Sequence, residues 1–480
     1  MIEQVLNQGF VLEQMERAAK ELGKPVNDRR GDDPLAKFSD AERAAALAEV
    51  RDAMAREHAN GGTLYESFDR GAQRQSEAPL NDFAFFSHDP IISIAQSAIE
   101  QSLLAADKHR IANGQPSLLE QPTQADDRRG GVAPSPITGA RICGLVESRR
   151  AADGRRLFGA FSQTDPRWIA SWIAEGIAKF RNPLKFPKDP APPVALRDKA
   201  RLVLVGDWGS GVPRALKVAN AMKPWIADGQ RDGFETHVVH LGDVYYSGWA
   251  GEYRDRFLKY WPVQTSDAAA IASWSLNGNH DMFSGGHDFF GTLLTDRRFA
   301  RQKGSSWFSF THKHWEILGL DTAFADHDLC GDQPQWVIDK LSGAKPRKGM
   351  LLSHHQLFSA YEHDGPKLAE KLHGVLEAGL VRAWFWGHEH RCAFYAPHLG
   401  VEYARCIGHG GVPVYQFRTD NDPYKYPATY EFRDAFRTFP LSPERWALFG
   451  FAVLDLAPDG NASVSYVNEN GTVHKTEVFS

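Results

Sequence analysis

The sequence predicts an α/β protein with two packed sheets, preceded by a mostly helical region. Three observations predict it. Beyond residue 196, strand-like and helix-like stretches alternate, which implies right-handed crossovers and largely parallel pairing. From Tyr403 onward, strand-like runs follow one another without helices, so a second, more mixed sheet is expected against the first. Before residue 182, apolar residues recur at helical spacing, and a proline-rich stretch separates the two regions.

At 480 residues the chain is too long for one ordinary domain. The expected division is a mostly helical domain over 1–181, a linker over 182–196 and an α/β domain over 197–480. Hydrophobic residues make up 42% and charged residues 24%, the balance of a soluble protein with a sizeable core. A net charge of -5 gives no electrostatic case for nucleic acid or an anionic membrane as partner. The four cysteines, Cys143, Cys330, Cys392 and Cys406, form no CxxC pair and read as thiols of a reducing compartment. The first residues lack the basic-then-apolar pattern of a signal peptide, and no run of about 18 apolar residues occurs. The expected location is cytoplasmic. Oligomeric state is not legible.

In the first region, helices are expected over Val5–Leu22, Asp40–His58 with Ser39 as N-cap, Ile91–Ile111 and Trp168–Phe180. Residues 113–138 read as loop, and Asp126 to Arg129 as a solvated charge run. Asn182 to Pro193 (NPLKFPKDPAPP) neither propagates a helix nor suits a central strand. Beyond it, strands are expected at Arg201–Val205, His237–Leu241, Ser273–Leu276, Gly349–Leu352 and Arg382–Trp386. A hairpin is expected from Trp307 to Leu320. Helices are expected at Pro213–Ala227, Glu252–Tyr260, His287–Leu294, Gln335–Leu341 and Lys367–Glu377. Late strands are expected at Tyr403–Ile407, Ala447–Leu456 and Ala462–Val467.

In open sheets of this kind, ligands collect at the carboxyl ends of the strands. Here LVLVGD ends in Asp207, and HVVHLGD ends in Asp243 with Tyr246 three residues on. SWSLNGNHD ends in Asn279, His280 and Asp281, GMLLSHH in His354 and His355, and RAWFWGHEH in His388 and His390. Carboxylates, an amide, a phenol and imidazoles form an oxygen and nitrogen set suited to iron, zinc, manganese or magnesium. These are too many ligands for one ion. Two ions with a bridging carboxylate are close enough to clamp one phosphate. His388 and His390 lie two apart on what reads as an extended segment, so they face the same way.

GDWG, GDVYYSG, GNHD, LLSHH and GHEH, in this order, resemble the five signature blocks of the calcineurin-like metallophosphoesterases. Many members carry a histidine where this chain has Gly209; here Tyr246 stands three residues after Asp243, as in purple acid phosphatases. HHQLFSAYEH (His354 to His363) and the GP that follows resemble the mammalian-type, tartrate-resistant members. The resemblance spans roughly residues 198–415.

It implies a four-layer αββα sandwich and a pair of metal ions: iron with iron, zinc or manganese, or else manganese or magnesium. Asp207, Tyr246 and His390 would bind the first ion, Asn279, His354 and His388 the second, and Asp243 both. His280 and His363 would face the substrate, with Asp281 orienting the His280 ring. The implied activity is phosphoester hydrolysis by a metal-activated water on a small-molecule substrate, foremost a phosphomonoester. The same core also serves phosphodiesterases and nucleotide pyrophosphohydrolases. A non-catalytic binding protein is the reading from another class, and an intact ligand set argues against it. The role of His355 is open. His237, His240, His312 and His314 read as structural, His409 as structural or at a pocket rim, and Asp321 as a turn former.

Overall fold

The computed structural model describes residues 8–25, 33–59, 86–112, 149–150, 156–157, 166–416, 418–437 and 445–480. It divides into two units: Met1–Asn182 with Tyr245–Ser247 and Thr438–Ser442, and Pro183–Val244 with Gly248–Arg437 and Pro443–Ser480. Cys143, the charge run at Asp126 to Arg129 and the loop over 113–138 lie outside the described residues.

The first unit has helices α1 (Gln8–Leu22), α2 (Asp40–Ala59), α3 (Pro90–Ala112) and α4 (Pro166–Arg181). Each follows from its apolar spacing. In α1, Phe10, Val11, Met15, Ala18 and Leu22 are buried, three and four residues apart. In α4, Ile169, Ile173 and Ile177 repeat the pattern. Ser39 caps α2 reciprocally: its hydroxyl accepts from Glu42 N–H at 3.2 Å, and Glu42 Oε2 accepts from Ser39 N–H at 2.8 Å.

The second unit holds strands β1 (Ala200–Val205), β2 (Glu235–His240), β3 (Ala272–Ser275), β4 (Phe308–Thr311), β5 (Trp315–Gly319), β6 (Lys348–Ser353) and β7 (Val381–Trp386). After them come β8 (Cys392–Tyr395), β9 (Tyr403–Ile407), β10 (Ala428–Glu431), β11 (Gly450–Leu456), β12 (Ala462–Asn468) and β13 (Val473–Phe479). One sheet runs β13-β12-β11-β1-β2-β3, parallel among β1, β2 and β3 and antiparallel beyond β1. The other runs β10-β8-β9-β7-β6-β5-β4, with Val194–Ala195 added at its end; β5, β6, β7 and β9 are parallel.

Leu202, Leu204 and Trp274 from the first sheet share one buried core with Phe310, Ile317, Met350, Leu352 and Phe385 from the second. The alternate residues of the second sheet, Leu318, Leu351, Trp384 and Trp386, face outward onto Val337 and Leu341 of α6 (Gln333–Gly343) and Leu368 and Leu372 of α7 (Pro366–Glu377). Helix α5 (Pro213–Arg231) packs on β1, β2 and β11. The result is helix, sheet, sheet, helix, and central strands such as β1 and β5 are buried on both faces because both are covered.

Several elements differ from expectation. The stretch at 252–260 is a single turn, Ala250–Glu252, followed by a wider π turn over Tyr253–Leu258, and another π turn spans Phe289–Leu293. β8, β10 and β13 were not foreseen. The proline-rich segment is strapped to the second unit: Ala191 N–H donates to Trp307 O at 2.8 Å, and Trp307 Nε1 to Pro187 O at 3.2 Å. Proline lacks a donor but keeps its acceptor, which this strap uses.

Candidate dinuclear metal centre

The turns after β1, β2, β3, β6 and β7 carry the candidate ligands. Asp207, Asp243, His388 and His390 have φ of 57°, 74°, 66° and 48°, in the left-handed region that non-glycine residues seldom enter. The segment from His388 to His390 is therefore not extended, as its spacing suggested, but a left-handed turn. Glu389, between them, faces the opposite way, where Trp386 Nε1 and the Ser359 hydroxyl donate to it at 2.7 and 2.6 Å. Burial pushes the Glu389 carboxyl up to about 7.

The turns interlock through backbone donors. His388 N–H donates to Asp207 Oδ2 at 2.8 Å, and His280 N–H to Asp243 Oδ1 at 2.9 Å. Asp281 Oδ2 accepts from Asp243 N–H at 2.9 Å and Gly278 N–H at 2.7 Å, and Tyr253 donates its hydroxyl to Oδ1. Asp281 Oδ2 thus ties two ligand turns together, and Oδ1 holds the Tyr253 hydroxyl. Burial first, then the nearby Asp243 charge, push the Asp281 carboxyl up to about 7. The fit leaves no room at Gly278, where a Cβ would lie 2.0 Å from Asp243 Oδ1.

Two groups of ligand atoms result, each within 4.8 Å: Asp207, Asp243 and His390, and Asp243, His354 and His388. They share Asp243. His354 Nδ1 donates to Leu241 O at 2.9 Å, which leaves Nε2 as a bare lone pair. That lone pair lies 3.0 Å from Asn279 Oδ1, 3.3 Å from His388 Nδ1 and 3.4 Å from Asp243 Oδ2. His390 Nε2 lies 3.5 Å from Asp207 Oδ1. Acceptors converging on acceptors at this spacing are the arrangement a cation needs, and the residues fit a metal pair. Burial raises the Asp207 carboxyl; at Asp243 burial is outweighed by the charges that His354 and His280 carry when protonated, and its carboxyl lies below the ordinary value.

The remaining candidates fall as follows. His280 is fully buried, its ring 4.7 Å from that of Phe283. His363 is exposed on the loop before α7; Gln356 Nε2 donates to its carbonyl at 2.6 Å, and among the described residues its ring makes none of the contacts that join the others. Tyr246 folds with the first unit, buried, its ring 5.3 Å from that of Phe86. A Cβ at Gly209 would meet Val244 Cγ2 at 2.7 Å and Asp243 O at 2.9 Å, so a histidine there would need the turn to move.

His237 and His240 are structural: Trp274 Nε1 donates to His237 Nδ1 at 3.0 Å, and His240 Nδ1 lies 3.3 Å from Ser275 Oγ. His312 and His314 lie against the carbonyls of Asp198 and Pro458. Asp321 caps its own turn, accepting from Ala323 and Phe324 N–H at 3.1 and 2.8 Å. His409 is not at a rim but buried, its ligand atom within 4.8 Å of those of Cys392 and His474. Two residues escaped the sequence reading. Asp326 and His327 sit beside His355, and an Asp-His pair just beyond a strand on the ligand-bearing edge was the available signal.

Two ligand groups joined by one carboxylate, at the strand ends of a two-sheet sandwich, define the architecture of a dinuclear metal site. Residues 200–392 match the family described as calcineurin-like phosphoesterase. No curated protein matches the chain. Similar solved structures include GAP50, described as the anchor in the inner membrane complex of Plasmodium. It has 15% identity and a TM-score of 0.46 over 59% of this chain and 89% of that one. Purple acid phosphatase PPD1 from yellow lupin (Lupinus luteus) seeds has 16% identity and a TM-score of 0.42, over 59% of this chain and 54% of that one. A cold-active protein-tyrosine phosphatase of a psychrophile, Shewanella sp., has 14% identity and a TM-score of 0.29, over 62% and 86%. Likenesses this remote say nothing of substrate. Among the described residues, no helix is long and apolar enough to cross a membrane.

Proposed function

We propose that the chain is a dinuclear metal-dependent phosphoester hydrolase acting foremost on phosphomonoesters. The observation that carries this reading is the pair of ligand groups joined at Asp243. As the resemblance implies, Asp207, Tyr246 and His390 would hold the first cation, Asn279, His354 and His388 the second, and Asp243 would serve both. Bound cations lower the pKa of water toward neutrality and neutralise phosphate oxygens.

The chain's own residues do the rest. His354 is fixed in one tautomer by the Leu241 carbonyl, so Nε2 stays available as a ligand. His280, bonded through its backbone to Asp243, donates the proton that the leaving oxygen requires. His363, on an exposed loop, is a second substrate-facing group, and Asp281 holds the turns of Asp243 and Gly278 in register.

The donor set suits iron with iron, zinc or manganese, and also manganese or magnesium. The close packing at Gly209 leaves little room for a histidine there, which favours the purple subgroup, whose pattern carries a tyrosine at the position of Tyr246. A cytoplasmic site of action belongs to the same reading.

The test is metal content and an absorption spectrum, then a phosphoester panel on the same sample. At least two metal ions per chain are expected, with p-nitrophenyl phosphate cleaved faster than its bis ester. The reverse preference would make the enzyme a phosphodiesterase, and a metal-free active protein would sink the reading. A phenolate on ferric iron gives a visible charge-transfer band, so Tyr246→Phe is expected to bleach a purple protein. A colourless, fully active manganese form would remove the purple label alone.

A further inference from the structure

A third cluster stands beside the two ligand groups. β5, β6 and β7 are neighbours in the second sheet, and the turns beyond their carboxyl ends bring His327, His355 and His388 together with ligand atoms within 4.8 Å. His355 is fully buried. Its backbone N–H donates to Thr322 Oγ1 at 3.0 Å, and its Nδ1 donates to Thr322 O at 2.8 Å. The carbonyl only accepts, so Nδ1 carries the proton and Nε2 is a lone pair. Among the described residues that buried Nε2 has no hydrogen-bond partner. What faces it is another acceptor, Asp326 Oδ1, at 3.5 Å.

His327 is drawn to the same point. Its Nδ1 lies 2.9 Å from Asp326 Oδ1, and its ring centroid lies 3.8 Å from that of His355 and 5.2 Å from that of His388. The turn that presents it is closed by a bridge between Ala325 and Asp328 and anchored by Lys371, 2.6 Å from Asp328 Oδ1. A buried lone pair without a donor costs free energy unless a ligand or cation meets it.

We propose that Asp326, His327 and His355 form a third cation site, at the edge of the dinuclear centre beside His388, for a borderline divalent ion of the zinc type. Two imidazoles and one carboxylate are a common donor set for such an ion, with a position left open for water or substrate. The hydrogen bond from His355 Nδ1 to the Thr322 carbonyl is the outer contact that orients a metal-binding imidazole. The site lies outside the ligand set implied by the family resemblance, and the inference rests on the dinuclear reading only for its stoichiometry.

The experiment strips the full-length chain with a chelator, reloads it with zinc, and counts bound zinc by mass spectrometry and by calorimetric titration. Three zinc ions per chain are expected for the wild type and two for His327→Ala and Asp326→Asn. His327 is only half-buried and Asp326 exposed, so both variants are expected to fold. Asp243→Asn is expected to lose zinc from the dinuclear pair while keeping the third ion. Two ions in the wild type overturn the third site. So do three ions in His327→Ala, which would mark the extra zinc as adventitious. If Asp243→Asn binds as much zinc as the wild type, the dinuclear assignment fails instead.

Discussion

His280 and His409 show how far burial alone separates one histidine from another. Both are buried, but His280 is bonded to the Asp243 carboxylate through its own backbone, whereas His409 lies in the core with neither ring nitrogen in a well-formed hydrogen bond among the described residues. For His280→Ala, turnover should fall on the order of 10²- to 10⁴-fold while metal content stays unchanged. Parallel loss of metal would assign it to the ligand shell. Burial first, then the His474 charge, push the His409 imidazole down from 6.5 to about 3 in the folded chain. Between those values the unfolded chain binds the proton and the folded chain does not, so stability rises with pH there. As pH falls from about 6.5 toward 3, this part of the stability is lost. A denaturant series on the metal-free protein should show that slope, and His409→Gln should flatten it.

The turns at the strand ends are where sequence and structure agree for a physical reason and also where they part. Gly278→Ala places a methyl group 2.0 Å from the oxygen of Asp243 that receives His280 N–H. Metal content is therefore expected to collapse while circular dichroism keeps the α/β signature; intact metal binding would mean the turn can yield. Asp207, Asp243, Asn279, His354, His388 and His390 were legible because each follows a hydrophobic strand, and core packing alone does not call for a metal-binding side chain at every such end. The left-handed turn at His388 was not, since spacing by two reads as extended whatever the φ. The cluster around His355 was hidden for another reason. Asp326 and His327 belong to a turn with no apolar periodicity, and only tertiary pairing of β5 with β6 brings them near. β8 is apolar and buried but only four residues long, and β13 carries Lys475 at an exposed and Glu477 at a half-buried position, so β13 lacks the buried pattern that marks a strand.

The second unit is held together across long sequence distances, and one ion pair shows how. Arg214, in the first turn of α5, meets Glu469 in the turn after β12, with Nε 2.8 Å from Oε1 and a second, shorter bond from Nη2 to Oε2. Both side chains are almost wholly buried, and the guanidinium is sandwiched 4.2 Å from the rings of Phe436 and Phe449. Burial lowers the Arg214 pKa and the Glu469 carboxylate raises it. Glu469 Oε2 also accepts from Phe449 N–H at 2.9 Å, just ahead of β11, the strand that pairs with β1. The pair therefore joins the helix that follows the first ligand to the strands that close the sheet behind it. A buried pair adds little over a hydrophobic replacement, because desolvation offsets the attraction, but removing one partner strands the other charge. Glu469→Gln should accordingly destabilise this unit by about 3–5 kcal/mol, a fall of roughly 10 °C in Tm. The double change Arg214→Met with Glu469→Leu should recover most of that loss. If Glu469→Gln melts with the wild type, water reaches the pair and its burial is not what holds α5 to the sheet.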